Sequence, residues 1–495
     1  MTGFVGRKRE LAVLRKRLDQ VRSTGTGSAV AIRGRRQVGK SRLAQEFCDR
    51  SKLPNLFFTA IKGESPRESV SRFSVALVES SLSPHSELLP SLESGRWVDA
   101  FRLLASVIPD QPTIVVLDEL PWLAEQDDAF DGTLQMAWDR WLSQRPVLLL
   151  LLGSDLHMME RLTAYDRPFF GRAHNFILGP LNPAETADAL GLNGADALDA
   201  YLVSGGLPTI IQGWSPRTPA LRFIEQECHD PTSILFSSPD STLMAEFPSP
   251  DQARRVLEAV GSGNRTQANI ASAAGGRHGP LPSGSLSPLL HRLVEEKQIL
   301  AIDEPLSTVA GKPALYRIAD TNLQLFLAAL RSAYEQVRRG LPQAAFRIVE
   351  RRWKSWRGRA IEPLIRHSLT LALASGTTPW SEVEALGGWW NRQFDPEVDL
   401  VGADRSPVAQ RIFFAGSIKW LGTPFDKDDL AKLAQDATRI PGFTSDRPSL
   451  AIVSLSGTTP GMDLPSVDLV WGPDEVIEAW RLVEWATGST SVEAE

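Results

Sequence analysis

The segment Gly34-Arg35-Arg36-Gln37-Val38-Gly39-Lys40-Ser41 constrains this chain more than any other. It fits G-x-x-x-x-G-K-S, follows the apolar run Ala29-Val30-Ala31-Ile32 and precedes a helical pattern over residues 42–50. Strand, glycine loop, helix is the order in which such a loop wraps phosphates. Glycines let backbone N–H groups curl around an anion, and the N-terminus of the next helix turns its positive dipole end to the same point. Lys40 has the spacing to reach β- and γ-phosphates, and the Ser41 hydroxyl to hold Mg2+. Gly34, Gln37, Val38, Gly39 and Arg42 complete the expected phosphate-binding set.

From residue 28 to about 180, short apolar runs alternate with helical patterns, which predicts an α/β fold with a parallel sheet covered by helices. Strands are expected over residues 28–33, 56–61, 113–117, 147–153 and 176–178. The third ends in Asp118-Glu119. Behind a phosphate loop, Asp118 is expected in the Mg2+ shell and Glu119 as the group that polarises the attacking water. The run Leu148–Leu152 leads into Gly153-Ser154-Asp155, predicted to lie between the other two strands. Ser154 is there either a γ-phosphate sensor or a helix N-cap. Arg172, with Arg167 as a second candidate, is read as a charge-stabilising arginine or as a surface residue.

At 495 residues the chain exceeds one core, and three or four domains are expected. A net charge of -6 excludes a protein basic all over, so nucleic-acid contact would need a local patch. Cys48 and Cys228 match no metal or redox spacing and read as buried thiols, which suits a reduced, cytoplasmic setting. The N-terminus lacks an apolar h-region, and the most apolar run, residues 147–152, is about a third of the ~20 residues a membrane span needs. No membrane association is expected.

Taken together, Phe4-Val5-Gly6-Arg7-Lys8-Arg9-Glu10-Leu11, the P-loop, Asp118-Glu119, Gly153-Ser154 and Gly206-Leu207-Pro208 resemble the archaeal-type ATPases of the AAA+/STAND superfamily. The resemblance covers roughly residues 1–235. It implies ATP with Mg2+, a P-loop core over residues 1–180 and a helical lid over 181–235. It also implies an adenine-side role for Val5, Gly6 and Arg7, and for Gly206 and Pro208.

A Pro/Ser-rich stretch, residues 236–250, reads as an interdomain connection. Residues 251–330 then give helices, a Gly275-Gly276 turn, a helix at 285–297 and a strand-turn-strand from 299 to 318, the order of a winged helix. The segment 266–271 with 316–320 resembles the winged helix that follows such ATPases, either for DNA or for protein contacts. Between Arg331 and Arg359, nine Arg/Lys stand against two Glu, with Trp353 and Trp356 interleaved. Arg351, Arg352, Lys354 and Arg357 are therefore candidate nucleic-acid contacts, the bland alternative being a solvated helix with acidic neighbours.

Residues 345–485 resemble the restriction-endonuclease-like, PD-(D/E)xK domain fused to such ATPases. Glu362, Glu397, Asp399 and Lys419 have its order, but Ser417 stands where the pattern has a metal-binding carboxylate. A neutral hydroxyl is a weak Mg2+ ligand, so a degenerate domain that binds or assembles is expected. The predicted whole is an ATPase coupled to a DNA-binding or nuclease-like C-terminal half, with DNA, a protein partner or a second copy as partners. The alternatives are a nucleotide-operated switch acting through protein contacts, and an ATP-controlled nuclease acting on foreign DNA.

Overall fold

The computed structural model describes residues 4–82, 95–154, 158–160, 165, 167–246, 251–276, 279–311, 313–444, 449–461 and 467–488. Contacts divide the chain into two compact units, residues 1–180 and 181–495.

The first unit is built on five parallel strands: β1 (Ser28–Arg33), β2 (Asn55–Thr59), β3 (Thr113–Asp118), β4 (Val147–Gly153) and β5 (Ala173–Ile177), in the order β2-β3-β4-β1-β5. The middle strands are unbroken apolar runs because both faces are covered. On one face Phe58, Phe73, Trp97, Phe101 and Phe130 meet mostly edge to face, with ring centroids 5.3–6.2 Å apart, under helices Pro66–Glu79, Trp97–Val107 and Phe130–Arg140. Each such ring contributes roughly 1.5–3 kcal/mol of burial. Helices Lys8–Thr24 and Lys40–Ser51 pack on the sheet as well. The sheet order sets β4 between β3 and β1, so the C-terminal ends of these strands bring Asp118-Glu119, Ser154 and the loop 34–39 to one edge.

The second unit begins with helices Pro183–Leu190, Gly194–Ser204, Pro208–Gln212 and Ala220–Glu227. The Pro/Ser-rich residues 236–250 are largely helical. Most of them continue a helix, Ile234–Glu246, that carries Pro239 inside it, while 247–250 lie outside the described residues. Leu235, Phe236 and Leu243 are buried in the same core as the preceding helices, and that burial outweighs the Pro/Ser composition.

Helices Asp251–Gly261, Gln267–Ala273 and Ser283–His291 follow, the last extended by a π-helical turn, Arg292–Glu296. The hairpin β6 (Leu300–Asp303) and β7 (Leu315–Ile318) is antiparallel. Six of the nine basic residues, Arg347 to Arg359, belong to one 33-residue helix, Pro342–Ala374, and the other three to helix Arg331–Arg338 and its C-terminal end. A second sheet, in the order β12-β11-β10-β9-β8, closes the unit. Strands β8 (Ala385–Trp390), β9 (Glu397–Ala403) and β10 (Ile412–Lys419) pair antiparallel in succession. Helix Lys427–Ala437 then crosses to β11 (Leu450–Ser454), parallel to β10 and to β12 (Val467–Trp471). One core cluster runs from Leu181 to Ile477 and joins the helical, hairpin and sheet segments of this unit, and a second, with Trp389, Val401, Ile412 and Leu433, packs on the sheet.

Candidate functional site

Only glycine lets β1 turn where it does. A Cβ on Gly34 would lie 2.3 Å from the Leu178 carbonyl. Gln37 (φ 67°) and Gly39 (φ 91°) then take left-handed backbone on either side of Val38. That conformation costs a side-chain-bearing residue such as Gln37 some strain, of the kind that collects at functional sites.

Lys40 opens the next helix with its ammonium buried, donating to the Gly34 carbonyl at 2.8 Å and the Arg35 carbonyl at 3.0 Å. The side chain thus folds back across the loop. Burial lowers its pKa, with Glu119 and Asp118 pulling it up and Arg36 down. Asp118 is buried at the end of β3, which pushes its carboxyl up, against a hydrogen bond from the Ser41 hydroxyl and one from the Glu119 N–H at 2.9 Å. Glu119 itself has φ 53°, a left-handed kink that turns it out of the strand. Its Oε2 accepts a hydrogen bond from Ser154 Oγ at 2.8 Å. A cavity of about 400 Å³ is bounded by Gln37, Gly39, Lys40, Ser41, Arg42, Glu119 and Ser154.

Residues 3–150 match the family model of the AAA ATPase domain. The matched span holds the loop and the Asp118-Glu119 pair, and it stops inside β4. Along the whole chain, an uncharacterized protein of Methanocaldococcus jannaschii is 23% identical over 444 residues, 88% of this chain and 91% of that one. Among solved structures, a Walker-type ATPase of Pyrococcus abyssi superposes with a TM-score of 0.47 at 16% identity, covering 66% of this chain and 96% of that one. The ORC2 protein of Aeropyrum pernix, solved in ADPNP–ADP complexes, gives 0.45 at 14%, covering 68% and 94%.

In the matched span the cavity also has two walls that motif reading passed over, Arg36 and Trp122. Trp122 stands three residues past Glu119, and the Lys62 ammonium lies 4.5 Å from its ring centre. Arg7 takes a different place from the one expected. Its guanidinium is buried and donates to the Val38 and Gly179 carbonyls, both at 2.8 Å, so it braces the loop from beneath instead of facing a base. Val5 is exposed beside it and Gly6 has φ 66°. Arg172 does not line the cavity. Its guanidinium forms a two-pronged pair with Asp139, both bonds 2.8 Å, and donates to the Pro168 carbonyl.

The remaining predicted residues lie in the second unit. Gly206 has φ 66° and accepts from the Leu181 N–H at 2.8 Å, and Pro208 starts the helix Pro208–Gln212. Glu362, Glu397 and Asp399 come close enough to perturb one another, and burial above all pushes the Glu362 carboxyl up to about 7. Asp399 is turned inward, accepting from the Ile418 N–H at 2.7 Å and the Ser417 hydroxyl at 3.2 Å. Lys419 lines one cavity with Glu397, Asp399 and Ser417, its ammonium bonded to Asp429 and the Pro424 carbonyl. No group of three or more ligating side chains suited to a metal ion occurs among the described residues.

The basic stretch needs correction in two respects. Trp353 and Trp356 are core residues, 6% and 3% exposed, so they offer no stacking surface. Arg357 is paired with buried Asp199 at 2.6 Å and is not available to a phosphate. Arg351, Arg352 and Lys354 remain exposed. No described helix is long and apolar enough to cross a membrane.

Proposed function

We propose that the first unit hydrolyses ATP in the cavity at the ends of β1, β3 and β4. One observation carries this reading: a buried lysine, a hydroxyl bonded to a strand-end carboxylate, and a second carboxylate kinked out of its strand all converge there. These residues fit a Mg2+-bound triphosphate. Lys40 and the N–H groups of residues 37–41 would hold the phosphates, with Arg42 beside them; Ser41 and Asp118 would hold Mg2+. The cation, when bound, neutralises charge on the transferred phosphoryl group. Glu119 orients the attacking water and takes its proton, which requires that it first leave Ser154. Val5 and Gly6, with Gly206 and Pro208 by family resemblance, would serve the adenine side.

The Ser154–Glu119 bond favours a second feature, a slow ATPase that works as a switch. In this reading the general base is held by a hydroxyl until a partner or the nucleotide itself draws Ser154 away. For the second unit, the order helix, three antiparallel strands, helix, parallel strand supports a restriction-endonuclease-like domain over residues 345–485, after a winged helix over 251–330 and a lid over 181–235. Inward-turned Asp399, Lys419 paired with Asp429, and Ser417 in place of a carboxylate favour binding over cleavage.

The deciding experiment is steady-state ATP hydrolysis by the full chain and by Lys40→Ala, each with and without duplex DNA. Mg2+-dependent turnover that Lys40→Ala abolishes is expected. Equal rates in the two proteins would overturn the assignment, and a rate unmoved by DNA would favour the protein-contact switch over the DNA-acting reading.

A further inference from the structure

The second unit contains a cavity of about 330 Å³ that no sequence motif marks. Small-molecule sites span roughly 300–1,000 Å³. Four guanidinium groups line it, those of Arg265, Arg317, Arg352 and Arg359, against the carboxyls of Asp303 and Glu362. On a chain of net charge -6 this is a concentrated excess of positive charge.

The pairing inside the cavity is uneven. Asp303 is taken by Arg317 at 3.2 Å, and Arg265 lies between Asp303 at 3.9 Å and Glu397 at 3.7 Å. Arg352 and Arg359 have no carboxylate partner among the described residues. Arg352 donates to the Ala328 carbonyl, and Arg359 Nε to the Ser355 carbonyl at 3.2 Å. A guanidinium has five N–H donors, so most of theirs remain to be used.

Two backbone and core features point the same way. Gly263, at φ 102°, lies against the Arg359 head so closely that a Cβ would sit 2.8 Å from its Nη1. Trp356 lines the cavity while only 3% exposed, and its indole N–H has no hydrogen-bond partner among the described residues. Buried donors in native folds are nearly always satisfied, so this one calls for an acceptor.

We infer that this cavity is a second anion site, which binds the phosphate group of a small soluble molecule through Arg352 and Arg359, with the Trp356 N–H as a third donor. Arginine forks match phosphate oxygens two at a time. The two carboxyls in the walls disfavour a continuous nucleic-acid strand, which needs an uninterrupted cationic track.

The test is calorimetric titration of inorganic phosphate into the full-length Lys40→Ala chain, in which the P-loop is disabled. One phosphate per chain is expected, with affinity falling about tenfold or more in Arg352→Gln or Arg359→Gln and several-fold in Trp356→Phe. Where an arginine variant fails to fold, Arg359→Lys retains charge but loses the fork, and a several-fold loss is again expected. Absence of phosphate binding in Lys40→Ala would overturn the site, as would affinities unchanged by all of these variants. A DNA oligonucleotide that binds through the same arginines while phosphate does not would overturn it in favour of a nucleic-acid surface.

Discussion

Ser154 Oγ donates to Glu119 Oε2 at 2.8 Å, joining the tips of two adjacent parallel strands. The bond holds the carboxylate proposed to activate water in the grip of a neutral side chain. Glu119→Gln is expected to lower ATP turnover by about 100-fold or more while nucleotide still binds, since general-base catalysis contributes roughly 10²–10⁴. Ser154→Ala is expected to raise basal turnover, by about two- to tenfold. A fall instead would give Ser154 a direct role at the γ-phosphate.

Arg7 ties the phosphate loop to the end of β5 through the Val38 and Gly179 carbonyls. Arg7→Ala removes both bonds from a buried position and is expected to destabilise the first unit by about 2–4 kcal/mol. It should also weaken nucleotide binding, although Arg7 does not line the cavity. Arg7→Lys is expected to rescue little, because a single ammonium cannot span carbonyls that the guanidinium fork reaches together. Thermal melts with and without nucleotide separate the two effects.

The buried pair Asp199–Arg357 makes stability depend on pH. Burial raises the Asp199 carboxyl from 3.8 to about 6, even with Arg357 beside it. The folded state therefore holds this proton more tightly than the unfolded chain, and the pair's contribution declines as pH rises from about 4 to 6. Arg357→Met leaves the carboxylate unpaired and is expected to cost about 3–5 kcal/mol at pH 8. At pH 5, where Asp199 is largely neutral, the loss should be clearly smaller. A loss equal at both pH values, measured by denaturant unfolding, would mean that Arg357 acts through packing alone.

If the long helix Pro342–Ala374 meets nucleic acid, it does so through its exposed cations. The double variant Arg351→Gln/Lys354→Gln is expected to reduce the slope of log affinity against log salt by about two, as loss of two phosphate contacts requires. Trp353→Phe and Trp356→Phe should leave that slope unchanged, because both rings are buried.

Cys48 and Cys228 are buried, and burial pushes both thiols up to about 12. At pH 8 neither carries appreciable thiolate, so a disulfide-exchange reagent is expected to label none in the native protein within minutes and both after denaturation.

Much of the first unit was legible because its signals are local. The strand before Gly34, the acidic pair after β3 and the apolar run of β4 are each contiguous, and their chemistry follows from spacing alone. Trp122 and Arg36 escaped notice, since a cavity wall has no motif. The buried role of the tryptophans had a readable signal that the count of basic residues obscured. Val349, Trp353, Trp356, Ala360 and Leu364 recur every three or four residues, and all are buried.

Sequence by itself determined that a parallel sheet carries a glycine loop at the end of one strand and the Asp118-Glu119 pair at the end of another. Tertiary structure alone decided which charges are free. Arg7 went to loop carbonyls, Arg172 to Asp139, Arg357 to Asp199 and Lys419 to Asp429. The physical reason is that periodicity fixes which face of an element a side chain occupies, whereas its partner, up to 158 residues away for Arg357, is chosen only when separate elements pack.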